Sequence, residues 1–188
     1  LKIIGISRRD VKVVDIIKDL PASESHAFLS KHLEMYKMDL ASADDYKQLR
    51  LHLAETAQQM GDKTQTLFYL SVPPQISQPV VKLLGEAGMA KLTGAKLLLE
   101  KPFGTDSVSA RELIDQTNLH FEESQVYRID HYLAKDMAQN LIVFREGNAL
   151  FAHTWNNKFI ERIDIMASEK IGIEGRAAFY EQTSALRD

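Results

Sequence analysis

The stretch TLFYLSVPPQISQPVVKLLGEAGMAKLTGAKLLLE, residues 66–100, decides the fold. Its two ends, Thr66–Val72 and Lys96–Glu100, are short runs apolar almost throughout, the pattern of strands in a parallel sheet covered on both faces. Between them a segment from about Gln75 to Glu86 carries helical spacing and is the right length for a right-handed crossover between parallel strands. Working outward, Leu1–Ser7 (LKIIGIS) reads as another such strand. Ser42 caps a helix, with Asp45 at the fourth position, and Tyr46, Leu49, Leu53, Ala57 and Met60 form its apolar stripe until Gly61 stops it. A further helix spans Ser107–Phe121. Strands alternating with helices define an α/β layer architecture.

The pattern changes after Ser124. A polar stretch, SQVYRIDHY, leads into a helix around Lys135–Arg145, then a Gly147–Asn148 turn and a strand-like run over Phe159–Met166. A domain boundary is expected between Phe121 and Arg128, dividing the chain into residues 1–124 and 125–188.

Composition sets the class. Hydrophobic residues make up 45% and charged residues 26% of 188, the balance of a folded globular protein. No apolar run approaches a membrane span, and LKIIGISRRD lacks the features of a signal peptide, so a soluble, cytoplasmic protein is expected. The absence of cysteine removes disulfides, thiolate metal sites and cysteine nucleophiles. A net charge of −3 gives no electrostatic footprint for nucleic acid. Of the histidines, His26, His32, His52, His120 and His153 show no ligand spacing, so no metal is expected. His52 lies beside the helix stripe and reads as structural. Trp155 reads as a buried indole beside a turn. No G-x-S-x-G elbow occurs, and the nine glycines form neither phosphate-loop pattern.

Three polar clusters carry the candidate chemistry. Arg128–Lys135 (RIDHYLAK) packs two cations, a carboxylate, an imidazole and a phenol into eight residues. If this segment is helical, His131 and Lys135 share a face and converge on one anion, with a phosphate the natural ligand. Glu100-Lys101-Pro102-Phe103-Gly104 follows a strand, which places Lys101 in the crevice beyond the carboxyl ends of the sheet. Its Lys-Pro step is one that can be cis. Arg8-Arg9 ends the first strand, where an arginine accommodates a 2′-phosphate and selects NADP over NAD. Each cluster also has a bland reading: solvated surface charges for the first and third, a turn with a surface lysine for the second.

Taken together and in order, KIIGISRR, FYLSVPP, LEKPFGTD, RIDHYLAKD with QNLIVFR, NALFAHTWNNKFIERIDI and EGRAAFYEQTSALRD resemble the glucose-6-phosphate dehydrogenase family. The resemblance implies a Rossmann-like NADP-binding domain over 1–124, incomplete at its start, and the beginning of a β+α substrate-binding domain over 125–188. It implies NADP-dependent oxidation of glucose 6-phosphate at C1 to the 6-phospho lactone, the first oxidative step of the pentose phosphate pathway. It also implies a homodimer or homotetramer of the full-length protein. Carried over by position, Arg8 grips the 2′-phosphate, and Lys101 bridges substrate and nicotinamide. His131, Tyr132 and Lys135 hold the substrate phosphate, and Glu169 and Asp188 bind the sugar. Asp130 orients the general-base histidine, which in the family belongs to an N-H-L-L-Q segment beyond the position of Asp188. The family's glycine turn would precede Leu1, so the span is expected to be part of a longer protein and to lack a complete site. RIDHYLAKD departs from the family's RIDHYLGKE at Ala134 and Asp136, the stretch from Arg9 to Tyr36 is shorter than family members usually have, and DVKVVDIIKDLPASES does not align with the family. Alternative readings are a Gfo/Idh/MocA-type NADP-dependent sugar oxidoreductase, which shares the EKP step, and a ligand-sensing homologue that has lost the chemistry.

Overall fold

In the computed structural model, the residues described are 1–61, 63–164, 166, 177 and 181. Among these residues two parallel sheets are formed. In the first, β1 (Ile3–Ser7) pairs with β2 (Leu33–Lys37), Ile3 opposite Leu33. In the second, β4 (Lys96–Glu100) lies between β3 (Leu67–Leu70) and β5 (Val126–Ile129), with Tyr69 opposite Leu98 and Glu100 opposite Ile129. The expected strands at 1–7, 66–72 and 96–100 are thus present, within a residue or two of their expected ends. β5 follows the boundary expected at residue 124, and its pairing with β4 carries the parallel sheet on to Ile129.

The helices are α1 (Val13–Ile17), α2 (Glu24–His32), α3 (Ala43–Met60), α4 (Pro74–Glu86), α5 (Ser107–Asn118), α6 (Asp136–Gly147) and α7 (Ala149–Ala152). The start of α3 is fixed by Ser42, whose Oγ accepts the Asp45 amide at 3.3 Å. Gly61 ends it at φ +101°, a conformation L side chains rarely adopt. The apolar stripe of α3 thins along its length: Tyr46 and Leu49 are buried, Leu53 is partly covered, and Met60 is exposed. α4 begins with Pro74 at its first turn, where no intrahelical donor is lost. α5 ends at Asn118, three residues short of the expected Phe121, although Phe121 is still buried in the core.

One core cluster joins β3, β4 and β5 to α3, α4 and α5, with Tyr36 of β2 packed against it. Met38, Tyr46 and Leu49 meet Leu70 of β3, Leu97 and Leu99 of β4, Val126 of β5, Val80, Val81 and Leu84 of α4, and Leu113 of α5. Because strand side chains alternate, this set lies on one face of β3–β4–β5. The other face is open among the described residues: Leu67 is 55% and Tyr69 54% exposed. Among the described residues α4 and α5 both pack on one side of this sheet, so the cover expected on both faces is seen on one face of β3.

Three further expectations change. The segment from Arg9 to Tyr36, for which no element was expected, holds α1, α2 and most of the strand β2. Residues 160–164 form neither helix nor strand, contrary to the strand expected near Phe159–Met166. The Gly147–Asn148 step is a break between two helices, with the Asn148 side chain accepting the Leu150 amide at 3.3 Å. Trp155 is half-buried and edge-on to Phe144, ring centroids 5.7 Å apart.

Candidate active site

The candidate site gathers at the carboxyl ends of β4 and β5. After Glu100 the chain passes through a cis Lys101–Pro102 bond, and Phe103 packs against the core. Gly104 then adopts φ +126°, and a Cβ there would lie 2.6 Å from the Ala110 nitrogen of α5. Only glycine lets the loop approach that helix so closely. Asp106 caps α5, its carboxylate accepting the Ser109 amide at 2.8 Å. The loop after β4 is therefore held at Phe103, at Gly104 and at the α5 cap, with Lys101 at its head.

β5 ends at Ile129 and delivers Asp130 beside that lysine. Lys101 Nζ lies 3.3 Å from Asp130 Oδ2, both side chains about a quarter exposed. Asp130 Oδ1 also accepts the Tyr132 amide at 3.1 Å. Partial burial pushes the Asp130 carboxyl up. The Lys101 ammonium and the backbone N–H groups of Tyr132 and Leu133 outweigh it and hold the group below the usual aspartate value. Asp130 is thus a carboxylate at neutral pH.

Residues 131–135 are not helical. Two successive turns, Leu133 N–H to Asp130 O and Lys135 N–H to Tyr132 O, carry the chain into α6 at Asp136. The expected helical sharing of one face by His131 and Lys135 is therefore replaced by a different convergence, about Tyr132. The His131 ring packs on the Tyr132 ring with centroids 4.7 Å apart, and Lys135 Nζ stands over the same ring at 4.2 Å. A cation over an aromatic face is held by the ring quadrupole. His131, Tyr132 and Lys135 all remain exposed, open to an anion from solvent.

Arg128, the other cation of this stretch, is engaged elsewhere: its guanidinium donates to both oxygens of Glu123 at 2.6 and 3.1 Å. Arg8 stands exposed just past the carboxyl end of β1, in the two-stranded sheet. Glu169 and Asp188 lie outside the described residues. The direct Lys101–Asp130 pair is the feature sequence reasoning missed. Its signal was that the two residues follow strands that are neighbours in the sheet. Among the described residues no group of three or more histidine and acidic side chains is placed to hold a metal ion, and no helix is long and apolar enough to cross a membrane.

Parallel strands joined by helical crossovers, with charged groups at adjacent strand ends, define an α/β protein of Rossmann-like type, in which the ligand crevice lies beyond the carboxyl edge of the sheet. Comparison with known proteins narrows the class. Residues 1–140 match the family "Glucose-6-phosphate dehydrogenase, NAD binding domain", and residues 142–188 match "Glucose-6-phosphate dehydrogenase, C-terminal domain". The chain belongs to the glucose-6-phosphate dehydrogenase family.

Among curated relatives, glucose-6-phosphate 1-dehydrogenase of Bacillus subtilis is 34% identical over 99% of this chain and 40% of its own length. That of Aggregatibacter actinomycetemcomitans is 40% identical over 84% of this chain and 32% of its own length. The crystal structure of glucose-6-phosphate 1-dehydrogenase from Mycobacterium avium superposes with a TM-score of 0.75 at 29% identity, covering 100% of this chain and 41% of that one. A glucose-6-phosphate dehydrogenase solved in complex with its substrate glucose 6-phosphate gives 0.77 at 30% identity, with 100% and 41% coverage. The chain spans about 40% of the length of the Bacillus subtilis relative.

Proposed function

We propose that the protein carrying this chain oxidises glucose 6-phosphate at C1 with NADP, giving 6-phosphogluconolactone, the first oxidative step of the pentose phosphate pathway. The observation that carries the reading is the Lys101–Asp130 pair at the ends of β4 and β5, with His131, Tyr132 and Lys135 grouped in the next five residues. Membership of the family supplies the reaction class.

In this reading the exposed imidazole and ammonium on either side of Tyr132 bind the sugar's phosphate, Lys135 as a point charge and His131 as a directed donor. Anchoring that end presents C1 near Lys101, so binding energy remote from the reacting carbon is used for alignment. Asp130 orients the histidine that accepts the C1 hydroxyl proton and stabilises the imidazolium that results. The resemblance places that histidine beyond residue 188. Glu169 and Asp188 bind sugar hydroxyls.

For the coenzyme, an exposed guanidinium past the end of β1 fits a 2′-phosphate, and Lys101 at the end of β4 fits the nicotinamide end. When bound, NADP accepts the hydride from C1. We further propose that β5 belongs to the nucleotide-binding domain, that the substrate domain follows it, and that the complete protein is a cytoplasmic homodimer or homotetramer.

The test is steady-state kinetics on the complete gene product with glucose, glucose 6-phosphate and NADP. Oxidation restricted to the phosphorylated sugar is expected. Lys135→Ala is expected to raise KM for glucose 6-phosphate about tenfold or more, the value of a lost charge-assisted bond, with a much smaller fall in kcat. Equal losses in both parameters would remove Lys135 from the phosphate site.

A further inference from the structure

The carboxyl ends of β3, β4 and β5 are joined by side chains as well as by the backbone ladder. Tyr69 on β3 and Glu100 on β4 lie on the open face of the sheet, opposite the buried set of Leu70, Leu97 and Leu99. Tyr69 pairs in register with Leu98, and Glu100 is the next residue of β4 on the same face. A phenol leaning along the strand spans that step, and the Tyr69 hydroxyl donates to Glu100 Oε1. On the far side of β4, Lys101 meets Asp130, the residue after β5. The order across the sheet is therefore Tyr69, Glu100, Lys101, Asp130, with two adjacent residues of β4 and its loop tied to opposite neighbours.

This arrangement has a mechanical consequence. Lys101 has a long, rotamer-rich side chain, and the residue before it is the last in the ladder. The tie at Glu100 adds a side-chain restraint to the backbone pairing of Glu100 with Ile129, at the point where the lysine must be aimed. Hydrogen bonding to Glu100, with some burial and the nearby negative charge, also keeps the Tyr69 phenol protonated well above neutral pH, so it remains a donor.

We propose that Tyr69 and Glu100 are positioning residues, clamping the end of β4 so that Lys101 is held toward Asp130 and the reacting sugar. The clamp deepens the proposed function and rests on it for its catalytic consequence. Its structural consequence, the restraint of Lys101, is measurable without turnover.

The experiment uses the complete gene product, wild type, Tyr69→Phe and Glu100→Gln. Trace acetylation read by mass spectrometry reports the reactivity of Lys101, with a distant exposed lysine, Lys47, as internal reference. Tyr69→Phe removes one oxygen and keeps the ring, and is expected to raise Lys101 labelling severalfold while leaving Lys47 unchanged. In turnover it is expected to lower kcat about tenfold, the scale of a small misplacement of a reacting group, with KM for glucose 6-phosphate within about twofold. Glu100→Gln keeps an acceptor for the phenol and is expected to retain most of both properties. Folded Tyr69→Phe with unchanged Lys101 labelling overturns the clamp. So does a fall in melting temperature with neither labelling nor kcat altered. If Tyr69→Phe does not fold, Glu100→Ala takes its place, with the same outcomes. A wild-type protein that fails to oxidise glucose 6-phosphate would instead remove the proposed function, leaving the labelling result to decide the clamp by itself.

Discussion

Glu34 on β2 illustrates what single charges contribute away from the candidate site. Its carboxylate lies 2.6 Å from Lys2 Nζ and 3.0 Å from His52 Nε2. The His52 contact is close but poorly aligned for a hydrogen bond, so Lys2 is the stronger partner. Tyr36 stacks on the His52 ring at 5.1 Å, which accounts for the histidine as a packed structural residue. The Lys2 hydrogen bond does most to lower the Glu34 pKa from 4.5, against a smaller opposing effect of burial. A carboxyl whose folded pKa is depressed stabilises the fold above its unfolded value and loses that contribution as pH falls through the folded value. Glu34→Gln is therefore expected to cost about 1 kcal/mol at pH 7, the scale of a partly exposed ion pair. The deficit should shrink to nothing as pH is lowered through the carboxylate range, followed by thermal melts at a series of pH values. A deficit that persists in acid would mean that shape, not charge, is what Glu34 supplies.

Among elements, the contact between α4 and the segment that follows α5 sets a sharp requirement on one glycine. Gly85 lies in the last turn of α4, and a Cβ there would fall 2.0 Å from Cγ and 2.4 Å from Cβ of His120. Those atoms are at the base of the imidazole side chain, so rotating the ring does not relieve the clash. Helix propensity alone favours alanine over glycine by about 1 kcal/mol. Overpacking opposes it by about 1–3 kcal/mol, and here it should prevail. Gly85→Ala is expected to lower stability in urea denaturation, and Gly85→Ala combined with His120→Ala should recover most of the loss. The same element scale shows where periodicity succeeded. The cap and stop of α3 were legible because Ser42, Asp45 and Gly61 act within one turn of the chain. The stripe toward Met60 was not, because helical spacing says which side a residue faces and not how far the neighbouring layer extends.

At the scale of the whole molecule, the charged groups of the candidate site are divided between the strand ends of two sheets. Arg8 ends β1 in one sheet, and Lys101 and Asp130 end β4 and β5 in the other. A coenzyme with a phosphate at one end and a reactive ring at the other suits such a division. Arg8→Gln in the complete gene product is expected to weaken NADP binding about tenfold, a lost charge-assisted contact, with NAD binding unchanged. Calorimetric titration with both coenzymes checks it, and equal weakening of the two would assign Arg8 to another part of the ligand.

Local chemistry alone was enough to read the α/β class, strands within a residue or two of their ends (1–7, 66–72 and 96–100 expected; 3–7, 67–70 and 96–100 found), the helices at 43–60, 74–86, 107–118 and 136–147, and the polar segments 100–104 and 128–135 as candidates. These features depend on neighbours within a turn or a strand, and so they are written along the chain. Partnership across the sheet is not. That β2 pairs with β1, that Asp130 meets Lys101 and that Tyr69 reaches Glu100 follow from strands distant in sequence lying side by side. The turns at 131–135 likewise replaced an expected helix. Asp130 accepts the Tyr132 amide there, and a short polar side chain that captures local backbone donors competes with helix formation.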